Sequence, residues 1–523
     1  MRGYWRVPVA AFSMAGVEAE IGDHRVLGRH WWGLAAILIL AAALRIAGIG
    51  HQSLSGDELG SLEVAAGRGQ IHLVLPRNVL MSPALAASSL RGAPGVWNVP
   101  RGMGADVHPP LYFICLRLWE DCFGDSDVAA RAMSAAAGVL GVALIFDVGR
   151  WLASASVGLW AALLMALAQP QIIYSQDARP YALVNFFMLI AADALIRIVR
   201  LDASARRVAA LALGVFAACL THYFVLPVFA AMGVYGIIRL RGKSRLGAIG
   251  GLIAGGGAAL AIWGEPAWEQ RANFTDPWMY WFYGNEAHHA AATLGRLAEL
   301  PMRYLLEPPT NTHAPWLAAV IYLFPFLQYK INRDLLLPGL WLLGCAAFLG
   351  GLDLYRNTNL LDSIKYTLMA GPAVFLILPT TLSGRGAWTV PLAGAIACVL
   401  VFPQTYENIK SDFRGAAADV SRYVKPGEAL IISGGGWGKW YGGQLYLAVE
   451  HYSKPIPTSI AILTDPATPQ LDAQLKDRGR RCWLLTSWTG QPASYFMPEW
   501  RAKYIGAQPG TYKFYELTAA VKP

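Results

Sequence analysis

The stretch LSGDELGSLE, Leu54 to Glu63, sets two carboxylates side by side, Asp57 and Glu58, shortly after an apolar run. Other polar groups recur in short clusters. They are Asp106, His108 and Tyr112 in DVHPPLY; Arg131; Gln176, Asp177, Arg179 and Tyr181 in SQDARPY; His222 and Tyr223 in THYF; and Lys365 and Tyr366 in SIKY. A positioned carboxylate can take a proton from a hydroxyl, and guanidinium or ammonium groups can hold an anion. Neighbouring residues point in different directions in helix or strand, so Asp57 and Glu58 cannot both grip one hydroxyl. Each group also has a plain structural use. Acids cap helices, Arg131 can anchor a span at the headgroups, Asp177 can pair with Arg179, His222 can pack in a core, and Lys365 can snorkel. Whether these groups converge separates the two readings.

Composition says what must position them. Of 523 residues, 55% are hydrophobic and only 15% charged; a soluble domain would be about 45–50% apolar and about 25% charged. Apolar runs of about 16–22 residues recur over the first four-fifths of the chain, long enough or nearly so to cross a bilayer. The formal charge of +9 does not indicate nucleic acid, because Lys and Arg gather in short loops between apolar runs, as in the positive-inside pattern. The cysteines, Cys115, Cys122, Cys219, Cys345, Cys398 and Cys482, are scattered without disulfide or zinc spacing.

Alternating the loops gives a polytopic α-helical membrane protein of about eleven spans. A cytoplasmic segment, 1–30, carries Arg2, Arg6, Arg25 and Arg29. The membrane domain is 31–403, with spans near 31–49, 128–149, 156–170 and 181–196, two more in 208–240 split at THYF, and one near 246–263. Two spans flank QYKINRD, and two follow SIKY, the last ending near Phe402. The first outer loop, 50–127, should hold amphipathic juxtamembrane helices. From 404 to 523 a helix, a Pro-Gly turn and strand-like runs such as CWLLTSW predict a small outer α/β domain. On this topology every polar cluster above falls on the outer side, at or near span ends. A charge at mid-bilayer costs roughly 2.5–3.5 kcal/mol, so groups of both signs at one depth point to a polar cavity opening outward. Arg45, about one turn inside the first span, should pair with an acid or snorkel outward.

The ordered set of motifs resembles a known family. Asp-Glu after the first span, HPPLY before a helix with Trp119, FGDSDVAAR leading into a span, and YSQDARPYAL together resemble the GT-C glycosyltransferases. Among these the chain looks like the bacterial protein-mannosyltransferase-like proteins, glycosyltransferase family 39, and the related aminoarabinose transferases. The likeness runs over roughly 35–405 and is most specific in 50–185; DFRGAAADV and KPGE are similar to the outer domain of bacterial members. It implies a bacterial inner-membrane enzyme, with active site and C-terminus periplasmic, that takes a sugar from a polyprenyl-phosphate donor. The acid of the first outer loop, here Asp57, is then the catalytic base, with Glu58 orienting a neighbour or the acceptor. Lys365 and Tyr366 match the place that binds the donor phosphate. Relatives often carry Arg where Lys365 stands, and an aromatic before the acid where this chain has SGDE.

The chemistry agrees with that assignment. A phosphate monoester, with a second pKa of about 6, leaves without strong acid help. Cations suffice to stabilise it: Lys365, with Arg131 and Arg179. The acceptor hydroxyl needs the base, worth roughly 10²–10⁴ in rate, and inversion needs only one. His108, Asp177, Tyr181, His222 and Tyr223 are then candidates for holding the sugar or acceptor, and Trp278, Tyr280, Trp281 and Tyr283 for stacking or for interfacial packing. The partners are the lipid-linked donor, membrane lipid and a glycan, lipid or protein acceptor, with no nucleic acid. Mannose, aminoarabinose, galacturonic acid and arabinose fit equally. No metal site is expected: a divalent cation on Asp57, Glu58, His108 and Asp177 is the lesser reading, without HxxxH or a close acidic cluster. Two other functions stay open: a ligase acting on a polyprenyl-diphosphate oligosaccharide, which should gather more cations, and a lipid or glycan transporter, which should place polar residues at mid-span.

Overall fold

The computed structural model describes residues 26–275, 290–307, 322–324, 326–327, 333–380, 386–407, 410–434, 438–454, 456–479, 481–489 and 492–519. The loop aromatics Trp278, Tyr280, Trp281 and Tyr283 lie outside them, as does most of the span expected just before QYKINRD.

A helical bundle comes first. Its helices are α1 (Gly28–Ile46), then, after the loop helices α2 (Gly56–Ala65) and α3 (Leu111–Phe123), α4 (Asp127–Leu152), α5 (Ala155–Leu167), α6 (Tyr181–Arg200), α7 (Ala205–Cys219), α8 (Leu226–Arg239), α9 (Gly242–Gln270), α10 (Ala290–Arg303), α11 (Leu336–Arg356), α12 (Gly371–Ile377) and α13 (Thr389–Leu400). Among the described residues five helices are long and apolar enough to cross a membrane: α1, α4, α6, Gly242–Asn273 and Arg333–Arg356. Shorter apolar helices cover Ala155–Leu167, Tyr223–Arg239, Leu368–Thr380 and Thr389–Leu400. The positions agree with the apolar runs of the sequence; the count of eleven remains an expectation. THYF does split the long run, because the His222 side chain caps the turn that opens α8 by accepting from the Phe224 amide at 3.2 Å.

The two ends of the bundle differ in charge. α4, α6 and α8 finish in Arg150, Arg197 with Arg200, and Arg239, where cations complement the helix dipole. Acids meet them there: Asp193 accepts from Arg197 at 2.7 Å, and Asp334 pairs with Arg200 at 2.5 Å and Arg239 at 2.8 Å. The candidate groups sit at the opposite end. Arg45 departs from expectation. It is fully buried and donates to Ser175 Oγ at 3.3 Å and to the carbonyls of Ala41, Met165 and Ala166 at 3.3, 3.1 and 3.2 Å. It therefore neutralises the carbonyl end of α5, and the helix dipole stands where an acid was expected.

Beyond the bundle lie α14 (Phe413–Tyr423), α15 (Gly438–Tyr452) and α16 (Pro469–Asp477), with one six-stranded sheet of order β1-β3-β2-β4-β6-β5. The strands are β1 (Leu80–Met81), β2 (Ala429–Ser433), β3 (Ser459–Leu463), β4 (Arg481–Ser487), β5 (Trp500–Gln508) and β6 (Tyr512–Ala519). β3, β2 and β4 are parallel, and β1, β6 and β5 add antiparallel. β2 and β3 are buried along their whole length, as strands covered on both faces must be. β1 comes from the first loop, so the sheet is completed by a segment far upstream, with Leu80 opposite Ala461 and Met81 opposite Ile460. The helix, Pro-Gly turn and strand read at 412–433, and the CWLLTSW strand, are present as α14, β2 and β4.

Candidate active site

The SGDE segment folds as the first turn of α2. Ser55 is its N-cap: Ser55 Oγ accepts from the Glu58 amide at 3.4 Å, and the Ser55 amide donates to Glu58 Oε2 at 2.8 Å. This is a capping box, and it explains why two adjacent acids differ in fate. Glu58 is drawn back into the protein, while Asp57 projects from the helix start.

Glu58 is fully buried and saturated. Arg131 reaches it with two nitrogens, Nε at 2.7 Å and a terminal nitrogen at 3.0 Å, the Ala178 amide donates at 3.0 Å, and Lys410 Nζ at 2.8 Å. Burial favours the neutral acid, but Lys410 and Arg131 outweigh it and hold the carboxyl well below its ordinary range. Arg131 also donates to the carbonyls of Ile49, Gln52 and Ser53 at 2.8, 2.8 and 2.9 Å, fixing the entry to α2. Lys410 bridges on to Asp177 at 2.5 Å. Of the expected residues, Glu58, Arg131 and Asp177 thus form one closed network. Lys410 is a participant that sequence reasoning missed. It stands alone in ENIKSDF, a segment with the look of a linker, where nothing local marks it.

Asp57 faces a second group. Its side chain is 42% exposed, and Lys365 Nζ lies 3.4 Å from Oδ2. Burial would raise the Asp57 carboxyl; Lys365 and then Arg179 outweigh it and bring the pKa down to about 2. Arg179 donates to the Asp57 carbonyl at 3.3 Å and to Ser61 Oγ at 3.1 Å, and its other terminal nitrogen is 3.2 Å from His108 Nε2. His108 Nδ1 in turn meets Asp106 at 2.9 Å, and Asp106 also accepts from Gln70 at 2.8 Å. The Tyr181 and His222 rings close this side, centred 5.8 Å apart, with His108 5.6 Å from His222. His222 is buried beside Arg179 and His108, and burial first, then those neighbours, hold its pKa well below the ordinary value, so its ring stays neutral.

Lys365 is held from behind. Asp353 of α11 accepts from the Thr358 hydroxyl at 2.6 Å and from the Leu360 and Leu361 amides at 2.9 Å. Arg303 of α10 grips the Leu361 and Asp362 carbonyls at 2.6 and 2.9 Å. The short turns that follow set Lys365 over the Tyr366 ring at 5.2 Å. Tyr223 stands apart from all of this. Its hydroxyl donates to Gln270 at 2.6 Å and accepts from Trp263 at 2.9 Å, so it ties α9 to the turn before α8.

The arrangement therefore brings Asp57, Lys365, Tyr366, Arg179, His108, Tyr181 and His222 to one mouth. It encloses Glu58, Arg131 and Asp177 behind it, and leaves Tyr223 outside. Among the described residues no three His, Cys, Asp or Glu side chains converge as metal ligands.

Residues 107–263 match the family model described as dolichyl-phosphate-mannose-protein mannosyltransferase. Among solved structures, ArnT from Cupriavidus metallidurans in the apo state is similar with a TM-score of 0.58 at 14% identity, over 92% of this chain and 97% of that one. The fold is thus similar to that of ArnT over nearly the whole chain. The same ArnT bound to undecaprenyl phosphate aligns with a TM-score of 0.47 at 13% identity, over 94% and 98% of the two chains. The S. cerevisiae protein O-mannosyltransferase complex Pmt1-Pmt2, bound to its sugar donor, aligns with a TM-score of 0.36 at 16% identity, over 56% and 39%. No curated protein matches the sequence. The resemblance to GT-C glycosyltransferases drawn from the motifs is thus borne out by the family-model match and by the likeness of fold.

Proposed function

We propose that the protein transfers a sugar from a polyprenyl-phosphate donor to an acceptor hydroxyl, with inversion, at the sheet-bearing end of the bundle, which we assign to the periplasmic face of the bacterial inner membrane. The observation that carries this reading is the pairing of Asp57 with Lys365, an exposed carboxylate and a cation 3.4 Å apart at one mouth. The family model over 107–263 is named for a dolichyl-phosphate-linked mannose, which supports a sugar carried on a polyprenyl phosphate.

In this mechanism the donor phosphate takes Lys365 as its counter-ion, assisted by Arg179. Lys365 then leaves Asp57, whose basicity rises as its strongest cationic neighbour is neutralised. The acceptor oxygen attacks the anomeric carbon, its proton passes to Asp57, and the bond from that carbon to the phosphate oxygen breaks. The electron pair goes to the phosphate, releasing polyprenyl phosphate. His108, Tyr181 and the neutral His222 line the side where the sugar would sit. Glu58 and Arg131 do not touch substrate in this scheme; they hold the loop that aims Asp57. Purified protein in nanodiscs with a labelled polyprenyl-phosphate sugar and an acceptor should release free lipid phosphate, and release that continues undiminished in Asp57→Asn would overturn the assignment.

A further inference from the structure

Asp57 also opens onto a second space. A cavity of about 400 Å³ lies between the start of α2 and the C-terminal sheet, within the range of about 300–1,000 Å³ common for small-ligand sites. It sits at the carboxyl ends of the parallel strands: Ser487 ends β4 and continues into Trp488 and Thr489, all in its wall. β3 and β4 flank β2 on opposite sides, so the crevice beyond β2 and β4 is where the winding direction reverses. Open α/β sheets bind their ligands at that point.

The wall has a definite chemistry. Asp57 is its one charged member among the described residues. The others are aromatic, such as Trp488 and Tyr441, or neutral and polar, such as Gln444, Ser487 and Thr511. Lys513 lies over the Trp488 ring at 5.2 Å and steadies it, but is not part of the wall. Ser487 is 1% exposed, and its hydroxyl has no hydrogen-bond partner among the described residues. A buried hydroxyl left without a partner costs about 1–3 kcal/mol, which a ligand hydroxyl would recover. The Gln444 amide lies in the space a side chain at Gly56 would fill, within 2.0 Å of that position, so the glycine lets it reach the mouth beside Asp57.

We propose that this cavity is the acceptor site and that it takes an uncharged sugar residue of a glycan. Trp488 would lie against the apolar face of the pyranose or furanose ring, and Ser487, Gln444 and Thr511 would take its hydroxyls. One hydroxyl would then be presented to Asp57. A phosphorylated lipid headgroup would find no cation among the described residues of the wall. The β4 strand beside the cavity offers a peptide no free edge, because it is paired on both sides by β2 and β6. The inference rests on the transferase reading above for the role of Asp57.

The test uses full-length protein in nanodiscs and saturation-transfer NMR with methyl glycosides of neutral hexoses and pentoses. A serine- and threonine-containing peptide and glucosamine 1-phosphate serve as rival probes, and undecaprenyl phosphate binding is measured on the same samples. At least one neutral glycoside should bind wild type, lose fivefold or more of its signal in Trp488→Ala and keep most of it in Trp488→Phe. Undecaprenyl phosphate should bind all three proteins equally, which also shows that the variants fold. Glycoside signals equal in wild type and Trp488→Ala, no glycoside signal at all, or binding of only the peptide or the sugar phosphate would overturn the proposal. Failure of undecaprenyl phosphate to bind wild type would instead overturn the donor assignment, while the glycoside arm still decides the cavity.

Discussion

The Lys365 ammonium and the Asp57 carboxylate stand 3.4 Å apart although 308 residues separate them in the chain. A loop near the N-terminus and a turn late in the bundle therefore face one compartment. The transferase mechanism needs that coincidence, and several outcomes depend on it.

Asp57→Asn keeps the size and the cap of α2 but cannot accept a proton. It should lower kcat by about 10²–10⁴ with little change in donor affinity. Steady-state release of lipid phosphate, together with a separate donor-binding measurement, checks both halves.

Lys365→Gln should act twice. Donor affinity should fall, because the phosphate loses its cation. The acid limb of the rate profile should also move up. In wild type Lys365 and Arg179 oppose burial and hold Asp57 at a pKa of about 2, so its ionised form persists until the pH falls through that value. Without Lys365 the carboxylate is lost at a higher pH, toward the ordinary value of about 3.9 or beyond. Lys365→Arg should restore most of the donor affinity. A pH profile identical to wild type in Lys365→Gln counts against the coupling.

Glu58→Gln should chiefly damage stability. It leaves Arg131, 2% exposed, without its carboxylate, and removing one partner of a buried pair costs about 3–5 kcal/mol. Thermal unfolding in detergent should show the loss, and limited proteolysis should cut more readily near Lys410. A Glu58→Gln protein with unchanged Tm and no activity would instead place Glu58 in the chemistry.

Glu120 of α3 offers a pH test away from the site. It is 2% exposed, and neither carboxyl oxygen has a hydrogen-bond partner among the described residues. Burial, aided by Asp125, raises its pKa to about 8. An acid raised on folding loses stability as pH climbs from its unfolded pKa toward its folded one, at up to about 1.4 kcal/mol per pH unit. Glu120→Gln removes that slope, so its Tm should gain on wild type steadily between pH 5 and pH 8. Parallel Tm curves would mean the carboxyl is solvated.

The spans were legible because about twenty apolar residues can do little else in a chain. Shared depth at the span ends was legible too, and it brought seven of the eleven expected site residues to one mouth. What sequence could not give is which partner each charge takes. Arg131 reads equally as a headgroup anchor, a phosphate ligand or a Glu58 clamp, and only three-dimensional proximity chooses the last. Tyr223 follows His222 directly, yet their side chains part at the turn before α8, one toward the mouth and one toward Trp263. Lys410 carries no local pattern, since its partners lie 352 and 233 residues away.

The strand lent by the first loop has a consequence for biogenesis. Ser82, beside β1, meets Ser459, 377 residues later. At synthesis rates of about 5–20 residues per second, the loop waits on the order of tens of seconds for its mate. Until then the edge that β1 will occupy does not exist, so this part of the first loop finds its place only with the C-terminal sheet.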